Sequence, residues 1–210
     1  MKPPIFFALL GLALAGLLVI AGMNRPPAAS PVAPTATYPP GREPMTFPQD
    51  YRETFDLYVT VDRPDAITRR IYINPAAVAA LRAGDALPER TQIVVEAYAA
   101  ARDANGNLLR DDQGHFVPAA LDPAIHVGEL RSTWQIADLA FSAHVGGWNF
   151  GSFDDASGGR YDEPLSDCFS CHDGASRRDF VFTQPELQRY AQTGVTQYRY
   201  TRPAPGRVPC

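Results

Sequence analysis

Phe55, Leu57, Val59 and Val61 alternate with Asp56, Tyr58 and Thr60, and this period of two predicts a half-buried strand. Arg69 to Ile73 (RRIYI) predicts a second strand, and Gln92 to Ala99 (QIVVEAYA) a third. Between them, Asn74-Pro75 has the form of an N-cap followed by proline at the first helical position, and Gly84 stops a short helix over Pro75–Ala83. Asn105-Gly106 predicts a hairpin turn, because both residue types tolerate positive φ. Residues 107–124 are polar and loop-like, and Ile125–Leu130 and Trp148–Phe153 are further strands. A helical turn is expected at 168–172. Thr183 and Glu186 have the spacing of a capping box, which starts a helix from about Gln184 to Thr193 that ends at Gly194. The fold class that follows is α+β: a mainly antiparallel sheet with a few short helices, and a C-terminal segment bearing the cysteines.

The pattern before Asp50 is different. Ile5 to Met23 is an apolar run without a charge, preceded by Lys2. Its nineteen residues reach roughly 28 Å as a helix, enough to cross a bilayer core. It reads as an uncleaved N-terminal anchor, with a cleaved signal peptide as the alternative. Eight prolines follow between Arg25 and Pro48, so that stretch stays extended and serves as a spacer. The expected organisation is an anchor or signal peptide over 1–24, a Pro-rich linker over 25–48 and one domain over 49–210. Export follows from either reading of the first segment, and the anchor would hold the domain to the inner membrane from the periplasmic side.

Composition changes this picture little. The formal net charge is −4, and no basic stripe with interleaved aromatics is present, so nucleic acid is excluded as a partner.

The chemistry is concentrated in one heptapeptide, CFSCHDG at 168–174. Cys-x-x-Cys on a helical turn puts two sulfurs on one side, about 5–6 Å apart at Cβ. Each can form a thioether to one vinyl group of a haem, and the adjacent His172 is then held under the iron. Cys168 and Cys171 are thus the attachment residues of one covalent haem c, and His172 is its axial ligand. Zinc needs a second ligand pair, and His115, His126, His144 and Cys210 are scattered. A redox disulfide normally opens a helix in a βαβ context, which is missing here. Met45 is the only methionine beyond the anchor and lies in the spacer, and no Met or His follows His172. The iron is therefore expected to keep an open position for a small ligand. His115 and His126 read as solvated residues in or beside loops. His144 lies closer to an apolar stretch and is a pocket candidate.

RRIYINPAAVAALRAGDALPERTQIVVEAYA, then GGWNF, then CFSCHDGASRRDFVFT resemble the cytochrome P460 family, which includes the cytochromes c′-beta. The likeness spans roughly Tyr51 to Thr183. It implies an antiparallel sheet with helices, a homodimer and a five-coordinate c-haem in the periplasm. The members it points to oxidise hydroxylamine or bind nitric oxide. Hydroxylamine-oxidising members carry a Lys that bonds to the haem ring, and Val95 occupies that position here. This shifts the expectation towards nitric oxide binding or a redox role, with a haem oxidoreductase on hydroxylamine or nitric oxide as the alternative. The distal pocket is expected from Val95, Glu96, Phe150, Glu163 and His144. Phe55 and Phe153 would add to an apolar ceiling, and Arg177 and Arg178 would pair with haem propionates.

Overall fold

The computed structural model describes residues 44–132, 145–162 and 166–201. All of them belong to the second of two units into which the chain divides, Tyr38–Cys210. Among the described residues no helix is long and apolar enough to cross a membrane; the expected anchor lies outside them.

The architecture is α+β. Seven strands form one sheet among the described residues: β1 (Asp56–Asp62), β2 (Ile67–Ile73), β3 (Gln92–Ala100), β4 (Pro118–Leu121), β5 (Ala124–Leu130), β6 (Trp148–Asp154) and β7 (Gln197–Tyr200). Their order is β6-β5-β3-β2-β1-β7, with β4 paired to β3. All pairs are antiparallel except β1 with β7, which is parallel. The helices are α1 (Tyr51–Thr54), α2 (Pro75–Ala83), α3 (Ser166–Asp173) and α4 (Gln184–Thr193), and Ser176–Arg178 form a 3-10 turn.

Alternation along the strands divides the core between the two sheet faces. On one face Val59, Ile71, Ile73, Ile93 and Phe150 meet Ala77 and Val78 of α2, Phe169 of α3 and Leu187 and Ala191 of α4. On the other, Tyr72, Val94, Val127 and Phe153 meet Met45 and Tyr51 from the start of the domain. Met45 is buried and Phe47 stacks on Phe153 at 5.7 Å, so packing begins a few residues inside the proposed spacer. A short apolar side chain pair is enough to dock a proline-flanked segment onto an open sheet face.

Local signals held at the glycines and failed at the caps. Gly84 and Gly194 take the left-handed conformation that ends α2 and α4. The capping box is not formed. Thr183 makes no side-chain cap, because its hydroxyl meets the Tyr58 hydroxyl at 2.6 Å instead. Asn74 likewise caps no helix: its Oδ1 accepts from the Gln92 amide, tying α2 to the head of β3. At Asn105-Gly106 only the glycine has positive φ, and the Asp103 carboxylate closes the loop by accepting from the amides of Asn105 and Asn107. Within the expected loop 107–124, Pro118–Leu121 forms β4 against β3.

Candidate functional site

Helix α3 carries Cys168, Phe169, Cys171 and His172 within little more than one turn. Phe169 is the residue that seats it. It is buried and meets Phe150 of β6 edge-on at 5.5 Å. The two cysteines are half-buried. Cys171 is disulfide-bonded, so its sulfur must be reduced to the thiol before it can form any other bond to carbon.

His172 closes the helix, and its ring lies against Phe150 at 4.1 Å with Phe182 edge-on at 5.1 Å. Its Nδ1 donates to the backbone carbonyl of Phe180 at 2.7 Å. That bond places the proton on Nδ1 and leaves the lone pair on Nε2. Burial holds the imidazole below its ordinary pKa; the Phe180 carbonyl pulls the other way, and the Arg69 charge adds to the lowering. The ring is therefore neutral at neutral pH, the form that binds a metal.

The carbonyl is in reach because the chain turns sharply after the 3-10 turn. Asp179 and Phe180 both have left-handed backbones, with φ of 50° and 63°. Such residues cost of order 1–3 kcal/mol each, and the surroundings must impose them. Trp148 does so by donating its indole N–H to the Asp179 carbonyl at 3.1 Å. Gly146 makes the room: a Cβ there would stand 2.6 Å from Cδ2 of the Phe180 ring. The GGW segment thus shapes the turn that orients His172.

The family model for cytochrome P460 matches residues 48–183, well over half of the chain. The chain belongs to the cytochrome P460 family. No curated protein compared with it matches. As a cytochrome P460 family member, the chain has a haem cofactor implied for it. The donor set fits that group. A neutral imidazole with its second nitrogen anchored on a backbone carbonyl is the usual arrangement of a metal-ligating histidine. Two cysteines of the same helix stand beside it.

The other expected site residues separate. Val95 is half-buried and packs with the His172-side core. Phe150 is also on that side, but its ring supports the imidazole of His172. Glu96 is not brought to His172, because as the next residue on β3 it faces the other side of the sheet. It is fully buried and accepts from Tyr51, Arg52, Tyr72 and Tyr98 at 2.8, 2.6, 3.1 and 2.9 Å. Phe55 and Phe153 also belong to that opposite core, so they form no ceiling over His172. Arg177 and Arg178 are exposed, and Arg178 donates to the Phe182 carbonyl at 3.4 Å. His144 and Glu163 lie outside the described residues.

His126 is exposed, as expected, but it is a strand residue rather than a loop one. It lies within β5 opposite Val95, and its Nδ1 meets the Ser152 hydroxyl at 2.7 Å. Its neighbours Ile125 and Val127 point into the opposite core, which leaves His126 on the same face as Val95 and Phe150. The strand's alternation, Ala-Ile-His-Val-Gly, carried this signal. His115 is half-buried, stacked on Tyr198 at 3.6 Å.

Proposed function

We propose that residues 49–210 are the haem domain of an exported cytochrome, tethered through Cys168 and Cys171, with His172 Nε2 as the one protein ligand to iron and the opposite position open to nitric oxide or a related small molecule. The observation that carries this reading is the 2.7 Å bond from Nδ1 to Phe180, which fixes Nε2 as the donor. The haem, when bound, supplies an iron centre that binds diatomic ligands and changes oxidation state. The chain's own residues orient the imidazole, exclude water from it through Phe150, Phe169 and Phe182, and keep its proton on Nδ1. Residues 1–24 hold the domain to the periplasmic face of the inner membrane. The working form is a homodimer that exchanges electrons with a redox partner.

Nitric oxide binding is preferred to hydroxylamine oxidation on residue supply. Val95 stands at the cross-linking position, and the chain's one lysine is Lys2, outside residues 49–210. The second reading, a haem oxidoreductase acting on hydroxylamine or nitric oxide, is favoured by His126, an imidazole on the Val95 face already held by Ser152. Such a group can take up or release a proton near a bound ligand.

The test is an optical spectrum of ferrous protein made in a bacterium competent for c-type maturation. A five-coordinate form that converts on adding nitric oxide, and a haem-stained band on a denaturing gel, are expected. A low-spin six-coordinate ferrous spectrum would exclude the open position, and a colourless band would exclude covalent haem. Steady consumption of hydroxylamine with an added electron acceptor would establish the second reading, and its loss in His126→Gln would assign the base.

A further inference from the structure

Among the described residues Arg69 has no ion pair, and it lies on the face of the sheet where His172 lies. On β2 it follows the alternation of Ile71 and Ile73, both in the His172-side core, and it pairs across the strands with Val61 and Ala97. Its Nε is buried and has no hydrogen-bond partner among the described residues. The charges that act on it are Arg63, which repels it, and Asp65, which attracts it. Asp65 is already held by both Nε and Nη2 of Arg63, at 3.1 and 2.7 Å. The charge of Arg69 reaches His172, and burial lowers the guanidinium to about 10. A buried guanidinium with an orphan N–H is costly unless something supplies a negative charge and an acceptor.

We propose that Arg69 is the anion-binding residue of the haem pocket, its buried Nε–H and the fork beside it pairing with a carboxylate of the bound haem or with an anionic ligand of its iron. The proposal rests on the haem reading above and replaces the exposed Arg177 and Arg178 as the principal cationic partner. A guanidinium suits the role because its planar fork matches a carboxylate bidentately. Arg69 is a positioning residue if the anion is the haem's own carboxylate, and a ligand-selecting one if the anion is bound to iron. In either case a fixed positive charge near the iron disfavours the ferric state and raises the reduction potential.

The experiment compares wild type, Arg69→Met and Arg69→Lys, each purified with haem attached. Arg69→Met should shift the redox equilibrium roughly tenfold towards the ferric form, about 59 mV for a one-electron couple. Arg69→Lys, which keeps the charge, should recover most of that shift. Fluoride and azide titrations of the ferric protein separate the two anions. Affinities unchanged in Arg69→Met identify the haem carboxylate, and affinities reduced tenfold or more identify an iron-bound anion. Nitric oxide, a neutral ligand, serves as the control and should bind all three alike. A melt of the haem-free proteins gives a readout independent of folding yield: Arg69→Met should melt higher than wild type, since the uncompensated cation is gone. A coloured Arg69→Met protein with wild-type potential and wild-type anion affinities overturns the proposal and leaves the haem reading standing. A colourless wild-type protein overturns the haem reading and this proposal together.

Discussion

Glu96 shows how much one side chain can organise away from the site. Three phenols and the Arg52 guanidinium all donate to its carboxylate, and Arg52 reaches on to Asp155 at 2.8 Å. The group fastens α1 to β2 and β3 on the face opposite His172. Glu96→Ala leaves Tyr51 and Tyr72 as buried hydroxyls without their acceptor, and should cost about 3 kcal/mol in a denaturant melt. Glu96→Gln keeps one carbonyl acceptor and should cost less. Neither should move the optical spectrum or the nitric oxide affinity of the haem-loaded protein. A tenfold change in that affinity at unaltered stability would put Glu96 back in the pocket. Its neighbour Val95 packs in the core on the His172 side, so one step along a strand separates the two faces of the sheet.

At the scale of elements, the site depends on the turn that follows α3 more than on α3 itself. Gly146 has φ of 62°, and its missing side chain leaves the space that the Phe180 ring fills. Gly146→Ala should push Phe180 aside, loosen the Nδ1 bond of His172 and destabilise the protein by about 2 kcal/mol. A shifted iron–histidine stretching band in resonance Raman would report the lost bond, and an unchanged band would refute this account of the turn. How legible the elements were follows the same division between local and distant causes. Strand alternation and the glycines after α2 and α4 are local signals, and they placed β1, β2, β3, β5, β6 and both helices within a residue or two. The strands β4 and β7 were not legible, because each exists only through pairing with a distant partner, β3 and β1. The CxxCH motif singled out His172 from sequence. The carbonyl that orients it, the indole that holds the turn and the buried Arg69 become visible only once the sheet brings them together.

For the whole molecule, the sheet buries phenols on both faces, and this sets its response to alkali. Burial, the largest cause at each, holds Tyr51, Tyr58 and Tyr72 well above the ordinary phenol range; Glu96 adds to the effect at Tyr51 and Tyr72. Tyr198 is pushed up to about 12 by burial and its bond to Asp62. A phenol that stays protonated in the fold and ionises at 10.0 when unfolded contributes stability that is full below that pH. The contribution is lost as pH rises towards the folded value, by about 1.4 kcal/mol per pH unit for each fully buried phenol. Tyr58→Phe removes one such phenol, so that variant should lose stability less steeply above pH 10 than wild type, by about 1.4 kcal/mol per pH unit. No lysine in the domain titrates over this range to confuse the comparison, since the only one is Lys2. Denaturant melts of both proteins between pH 9.5 and 11 (~1.5 units of titration), followed with tyrosinate absorbance, measure the two slopes. Parallel profiles would mean that Tyr58 ionises in the fold as readily as it does in the unfolded chain.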